Sequence, residues 1–344
     1  MTEPLRPIEW TGSALRVIDQ TALPGRLVYV ELATVDGLVD AIVRLAVRGA
    51  PQLGAVGAMG VAIAMDQGAR DGWNATRLDA EIDRVRDARP TAVNLRWGVD
   101  QVRPLVVVGR DAVLQAALRV VTEDEQINRA MGRHGADWIQ ARIPGRVRVL
   151  THCNTGALAT VGWGTGLGVI RELHARGALE VVYADETRPL LQGARLTAYE
   201  LEHDGIAHFV QADGAAASTI LRGLVDVAII GADRIAANGD TANKIGSVGV
   251  AIACKEAGIP FVVAAPESTV DVSMPEGDAI EIEMRGDDEV LNWGGVRTAP
   301  MGSRAWNPAF DITPARYVTA LVTEHGVMEV NHGETPGSRL VRLR

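Results

Sequence analysis

From residue 147 to residue 264 the chain repeats one pattern, a short β-branched apolar run followed by a helical stretch. Strands are expected at 147–150, 179–183, 206–210, 225–230 and 259–264, with helices filling 157–176, 189–203, 213–222 and 246–257. Such alternation produces a parallel, doubly wound sheet, because each crossover helix covers a sheet face before the chain returns in the same direction. Ligands of these sheets bind outside the carboxyl ends of the strands. Three of the expected strands end in polar clusters. After 147–150 comes Thr151-His152-Cys153-Asn154-Thr155-Gly156. After 179–183 comes Ala184-Asp185-Glu186-Thr187-Arg188-Pro189, whose helix carries Gln192 and Arg195. After 225–230 comes Gly231-Ala232-Asp233-Arg234-Ile235, and then Asn243-Lys244-Ile245-Gly246-Ser247. The three clusters are expected along one sheet edge, as an α/β active site requires.

The residues before 147 are organised differently. Strands are expected at 14–18 and 27–32 around a Pro24-Gly25 turn, then a helix over 35–47 capped by Thr34. A second helix follows the Gly49-Ala50-Pro51 break and runs to Gln67, with Gly54, Gly57 and Gly60 keeping one face small. A charged helix is expected over 76–88, and a long one from the capping box at Thr122 to Ile143. The Pro144-Gly145 break sets the expected domain boundary, with a smaller domain of short strands and helices over 1–144 and a Rossmann-like, mostly parallel α/β domain over 145–344. Residues 279–330 are less regular, with a last helix expected after Pro314.

Composition narrows the function classes. A net charge of −9 argues against a broad nucleic-acid surface, so any phosphate site is local. The two cysteines, Cys153 and Cys254, form neither a disulfide framework nor a metal-ligand spacing. Residues 1–10 lack the basic and apolar regions of a signal peptide, and no apolar stretch reaches membrane-spanning length, so a cytoplasmic protein is expected. The Gly162–Gly168 run does not fit GxGxxG and is expected inside a helix, and no phosphate loop, HExxH or GxSxG occurs. No metal or nicotinamide cofactor is expected.

Each candidate has a plainer reading. Cys153 stands at a strand end, where unpaired N–H groups and a helix dipole favour a thiolate, but free cysteines are also among the most buried residues. Cys254, inside an apolar helical stretch, reads as packing. Asp233 is either an acid at the end of an apolar strand, its pKa raised there, or a turn cap. Asp185, Glu186 and Arg188 read as site residues or as a solvated charge cluster, and His152 as a satisfied core histidine or an orienter of its neighbours. Arg48 and Arg89 precede the Gly49-Ala50-Pro51 and Pro90 breaks, where guanidinium groups suit a phosphate. Only two of the 34 basic residues are lysines, so Lys244 marks a place for a compact ammonium beside expected helix-terminal N–H groups.

The motifs together resemble the methylthioribose-1-phosphate isomerase family, related in fold to the regulatory subunits of the eukaryotic initiation-factor guanine-nucleotide exchange complex. The matching stretches are Val47–Pro51, Arg89–Leu95, Thr151–Gly156, Asp185–Ala198, Gly231–Ile235, Asn243–Gly246 and Asn307–Pro314. The resemblance implies a cofactor-free homodimer of methionine salvage that converts 5-methylthioribose 1-phosphate to 5-methylthioribulose 1-phosphate. It carries catalysis onto Cys153 and Asp233, and substrate binding onto Arg48, Gly49, Ala50, Arg89, Gln192, Asn243 and Lys244. Gln52 and Arg96 depart from the family pattern near the expected phosphate contacts. Arg96 keeps ribose 1,5-bisphosphate open beside 5-deoxyribose 1-phosphate as an alternative substrate. A non-catalytic regulatory protein is the alternative of a different class.

Overall fold

The computed structural model describes residues 5–90 and 92–343, with side chains to residue 339, so Thr91 of the Arg89–Leu95 motif lies outside the described residues. Two compact units are distinguished, Met1–Ile127 with Thr155–Gly164, and Asn128–Asn154 with Thr165–Arg344. The first opens with an antiparallel meander of β1 (Ile8–Trp10), β2 (Leu15–Ile18) and β3 (Tyr29–Leu32). Helix α1 (Val35–Val43) follows, capped by the Thr34 hydroxyl, which accepts from the Gly37 amide. Helix α2 (Ala50–Asp71) is buried from Gln52 to Ala64, because its residues are apolar or glycine on all sides. Helix α3 (Ala75–Arg86) comes next, then α4 (Val93–Val102), which the sequence reading missed.

The glycine stripe of α2 explains why α4 can lie so close. A Cβ on Gly57 would fall 2.5 Å from the Leu95 carbonyl, and one on Gly98 would fall 1.9 Å from the Gly54 carbonyl. Helix α5 (Arg110–Arg142) starts well before Thr122. The Thr122 hydroxyl caps nothing and donates back to the Leu118 carbonyl inside the helix. The expected boundary at 144/145 falls just past the end of α5, whereas the two units part inside that helix, after Ile127.

The second unit is built on a seven-stranded sheet. Its strands are β4 (Val147–Thr151), β5 (Leu179–Asp185), β6 (His208–Gln211), β7 (Val227–Ile230), then, after β8 (Arg234–Ala236) and β9 (Thr241–Lys244), β10 (Phe261–Ala264). Beyond the short strands β11 (Val270–Asp271), β12 (Asn292–Trp293), β13 (Val296–Arg297) and β14 (Phe310–Thr313), β15 (Ala320–Thr323) and β16 (Gly326–Met328) complete it. The order is β16-β15-β10-β7-β4-β5-β6, parallel except for β16. Chain order reverses between β4 and β7, which makes their carboxyl ends the topological switch point of a doubly wound sheet. Helices α6 (Gly166–Ala175), α7 (Ala198–His203), α8 (Ala216–Leu221) and α9 (Ser247–Ala257) provide the crossovers. Val250, Ala251 and Cys254 of α9 pack with Ile220 of α8 onto Ala228 and Phe261 of the sheet. A second, four-stranded sheet runs β11-β8-β9-β14.

Three expectations fail in this region. The helix expected from 157 begins only at Gly166, after a single 3-10 turn at Ala157–Ala159. The glycine run therefore lies in a loop up to the helix start, where Gly164 holds φ +96 and a Cβ would fall 2.6 Å from the Gly156 Cα. The last helix expected after Pro314 is a 3-10 turn followed by the β15–β16 hairpin, since β-branched residues from Val318 to Thr323 fit the pleat beside β10. Among the described residues the helices after α9 are the short α10 (Asp288–Leu291) and α11 (Pro336–Leu343). Among the described residues no helix is long and apolar enough to cross a membrane.

Candidate active site

The strand β4 delivers Thr151–Asn154 to the switch point, and each of the last three residues is held by a different neighbour. His152 is fully buried, with Nδ1 3.0 Å from Asp185 Oδ2 at the end of β5 and Nε2 2.8 Å from the Ile245 carbonyl beyond β9. Cys153 has φ +64, a left-handed backbone that side-chain-bearing residues seldom adopt. Two hydroxyls fix it there. The Cys153 amide donates to Thr187 Oγ1 at 2.9 Å, and Thr197 Oγ1 donates to the Cys153 carbonyl at 2.6 Å. Asn154 Nδ2 donates to Glu200 Oε1 at 2.8 Å, and the other Glu200 oxygen accepts from the buried Arg171. Cys153 as a whole is buried, 7% exposed.

Thr187, itself at φ +65, is placed by Asp213, whose two carboxylate oxygens accept from the Thr187 and Arg188 amides at 2.7 Å each. Asp185 is buried, not part of a solvated charge cluster as one reading had it. Its Oδ1 accepts from Gln211 Nε2 at 2.8 Å. Burial pushes the Asp185 carboxyl above the usual carboxylate range despite the hydrogen bond with His152. Burial pulls the His152 imidazole down, but the hydrogen bond and charge of Asp185, with the charge of Asp213, outweigh it and leave it raised. His152, Asp185 and Asp213 lie close enough to ligate a metal ion. Their donor atoms are already engaged by Ile245, Gln211 and the two amides, so the cluster reads as an internal brace.

Asp233 follows β7, the strand beside β4, and its amide donates to the Ala242 carbonyl at 2.9 Å. It is exposed, so the enclosure expected from the apolar strand does not extend to it. The β8–β9 hairpin, absent from the sequence reading, returns Asn243 and Lys244 to the same end of the unit. Asn243 Nδ2 donates to Ser247 Oγ at 2.8 Å. Lys244 is buried, donating to the Ala309 carbonyl at 2.7 Å with its ammonium 4.4 Å from the Phe310 ring centroid. Two of the helix-terminal N–H groups expected to serve an anion here are taken. Asp311 accepts from the Gly246 amide at 2.7 Å and the Val248 amide at 3.2 Å, and burial pushes its carboxyl up. Gln192 is buried in the turn after β5, and its Oε1 has no hydrogen-bond partner among the described residues. Cys254 sits inside α9, its thiol pushed up to about 12 by burial, as packing predicts.

The remaining candidates belong to the first unit. Arg48 is half-buried and its Nε donates to Gln20 Oε1 at 3.1 Å. Gly49 needs its φ of +97, because a Cβ there would fall 2.4 Å from the Ala159 carbonyl, and Ala50 begins α2. Gln52, the departure after Pro51, is buried with its amide 2.6 Å from the Arg48 carbonyl and 3.1 Å from the Leu158 carbonyl. It is a brace for the Arg48 turn. Arg89 lies half-buried after α3. Arg96 is exposed and paired with Asp87 at 3.0 Å.

The sequence reading singled out the residues with reactive or charged heads and missed Thr187 and Thr197. Nothing local marks a threonine as the clamp of a distant backbone, although both stand inside the Asp185–Ala198 stretch.

The family model of the initiation factor 2 subunit family matches residues 46–330, which takes in both units. The chain belongs to the initiation factor 2 subunit family. Within it, the chain is 50% identical over 343 residues to a protein of Nocardia farcinica named "Probable bifunctional methylthioribose-1-phosphate isomerase/methylthioribulose-1-phosphate dehydratase", and spans 62% of that protein's length. It is 48% identical to the methylthioribose-1-phosphate isomerase of Gloeobacter violaceus, over 98% of this chain and 97% of that one. It is also 48% identical to the 5-deoxyribose 1-phosphate isomerase of Moorella thermoacetica, over 95% of each chain. Two solved family structures resemble it closely. They are the 5-methylthioribose 1-phosphate isomerase of Pyrococcus horikoshii (TM-score 0.88, 37% identity, covering 99% and 96%) and a protein of A. fulgidus titled translation initiation factor eIF-2B, subunit delta (TM-score 0.84, 41% identity, covering 94% and 96%).

Proposed function

We propose that this chain is an aldose–ketose isomerase that converts 5-methylthioribose 1-phosphate to 5-methylthioribulose 1-phosphate, a step of methionine salvage. The observation that carries the reading is the 48% identity, over nearly the whole of both chains, to a relative named for that reaction. Intact Cys153 and Asp233 at adjacent strand ends of the switch point favour it over a non-catalytic regulatory member of the family. A cytoplasmic homodimer is part of the same proposal.

The substrate sets the chemical problem. With phosphate on the anomeric oxygen the sugar cannot open to a free aldehyde, so the ring C1–O4 bond must break while the phosphate stays attached. Asp233 is assigned the proton that O4 receives as that bond breaks, and then acts at the C2 hydroxyl. Cys153 is assigned the hydrogen that leaves C2 and arrives at C1, either by relaying it as a proton through a phosphoenediol or by stabilising a direct hydride shift. Gln192, Asn243 and Lys244 bind the sugar phosphate in this proposal. Arg48, Gly49, Ala50 and Arg89 are assigned to substrate on guanidinium and backbone chemistry together with the family resemblance.

A second reading, 5-deoxyribose 1-phosphate as the preferred substrate, is favoured by the name of the Moorella thermoacetica relative. Ribose 1,5-bisphosphate loses support, since the Arg96 that kept it open is paired with Asp87. Comparing kcat/KM for the three sugars separates these readings. The proposal expects 5-methylthioribose 1-phosphate to lead, and a loss of about 10²- to 10⁴-fold in kcat for C153S and D233N. Near-wild-type turnover by both variants would overturn the assignment of the catalytic pair.

A further inference from the structure

The His152 ring at the switch point is left unused by the proposed chemistry, and it touches both halves of the site in the second unit. One nitrogen reaches the end of β5, and the other reaches the turn that follows Asn243 and Lys244. Its partners constrain its protons. The Ile245 carbonyl can only accept, so Nε2 carries a hydrogen. Between Nδ1 and Asp185 Oδ2, 3.0 Å apart, a second proton is then required, on the imidazolium or on the carboxyl. Without it two lone pairs would face each other in a dry site.

The opposite wall is fitted to the ring. Gly246 has φ +109, and a Cβ there would fall 2.7 Å from His152 Cε1, so the turn lies flush against the imidazole. Asp311 holds that turn from the other side through the Gly246 and Val248 amides. The charged groups facing His152 are thus Asp185 of β5, Asp213 before α8 and Asp311 of β14, with Lys244 of β9 acting on Asp311. Three carboxylates against one ammonium favour retention of the second proton.

We propose that His152 is a positioning residue, a doubly bonded imidazole that cross-braces the strand end bearing Cys153 to the turn that follows Asn243 and Lys244. It touches no reacting atom. It sets the separation between the sulfur and the groups that bind the sugar phosphate, and misplacement by about an ångström is enough to slow a reaction a hundredfold. The inference rests on the catalytic assignment of Cys153 given above.

Two variants and two readouts test it. H152A removes both bonds. D185N keeps them, since its amide donates to Nδ1 of a neutral ring whose Nε2–H stays on Ile245. Deuterium exchange of the 243–248 amides is expected to quicken in H152A and to remain near wild type in D185N. With 5-methylthioribose 1-phosphate, kcat per folded molecule is expected to fall about tenfold to a hundredfold in H152A with KM changed less than about threefold, and D185N is expected to stay within about threefold at pH 7. Unchanged exchange and kcat in H152A, or a D185N as defective as H152A, would overturn the brace. C153S run alongside separates the two claims. If C153S turns over normally the catalytic assignment falls while the exchange result still judges the brace. If C153S is dead and H152A is normal, only the brace falls.

Discussion

The two cysteines occupy environments of similar burial and opposite kind. Cys254, in the middle of α9, is fully buried among apolar side chains of the sheet face, and burial alone lifts its thiol to about 12. Cys153 is 7% exposed at a strand end, its amide and carbonyl both engaged by threonine hydroxyls and its backbone left-handed. Burial by itself therefore does not separate the cysteine proposed for catalysis from the packing one. What separates them is how much of the neighbourhood is spent on fixing the residue's backbone.

The largest expected effect draws that contrast most sharply. C153S is expected to lose about 10²- to 10⁴-fold in kcat with little change in stability, and C254S to keep kcat within about twofold while losing about 1–3 kcal/mol from a buried hydroxyl. Urea unfolding and initial rates on both variants check it, and a C254S that loses activity while still folded would erase the distinction. The clamp comes next. T187V leaves the buried Cys153 amide without its acceptor, which is expected to cost about 1–3 kcal/mol and to lower kcat, whereas T187S, which retains the hydroxyl, restores both.

The smallest effect is read from pH. His152 holds its proton above the ordinary histidine value, so the stability it contributes is complete below the unfolded pKa of about 6.5 and is lost as pH rises through the folded one. Asp185, raised by burial, acts in the same direction from lower pH. Stability is expected to fall on the alkaline side by at most about 1.4 kcal/mol per pH unit for each proton, with a shallower fall in D185N. Melting temperatures of both proteins from pH 5 to 9 decide it.

What was legible in the sequence follows the range of the physics involved. Strand runs and the polar residues after them are local, so the ends of β4, β5 and β7 and their convergence on one edge were readable, as was the small face of α2. The β8–β9 hairpin was not, because its strands are three and four residues long and pair mainly with each other and with β14, contacts that periodicity does not encode. The occupation of the α9 terminus was hidden for a related reason. Asp311 lies far along the chain, and only the antiparallel register of β9 and β14 sets it opposite Asn243. Asp233 was legible in place and misjudged in burial, since an apolar strand says nothing of the solvent beyond its last residue.

The left-handed backbone at Cys153 has a consequence for how such a chain is maintained by selection. A non-glycine residue in that conformation costs about 1–3 kcal/mol, so glycine at 153 would fold better than cysteine or alanine does. C153G should accordingly outlast C153A on heating, although both lack the sulfur. Under the catalytic role proposed for Cys153, stability and turnover pull this one position in opposite directions. A lineage released from the reaction would gain robustness by letting the cysteine drift to glycine, and a lineage that depends on the reaction must keep refusing that gain.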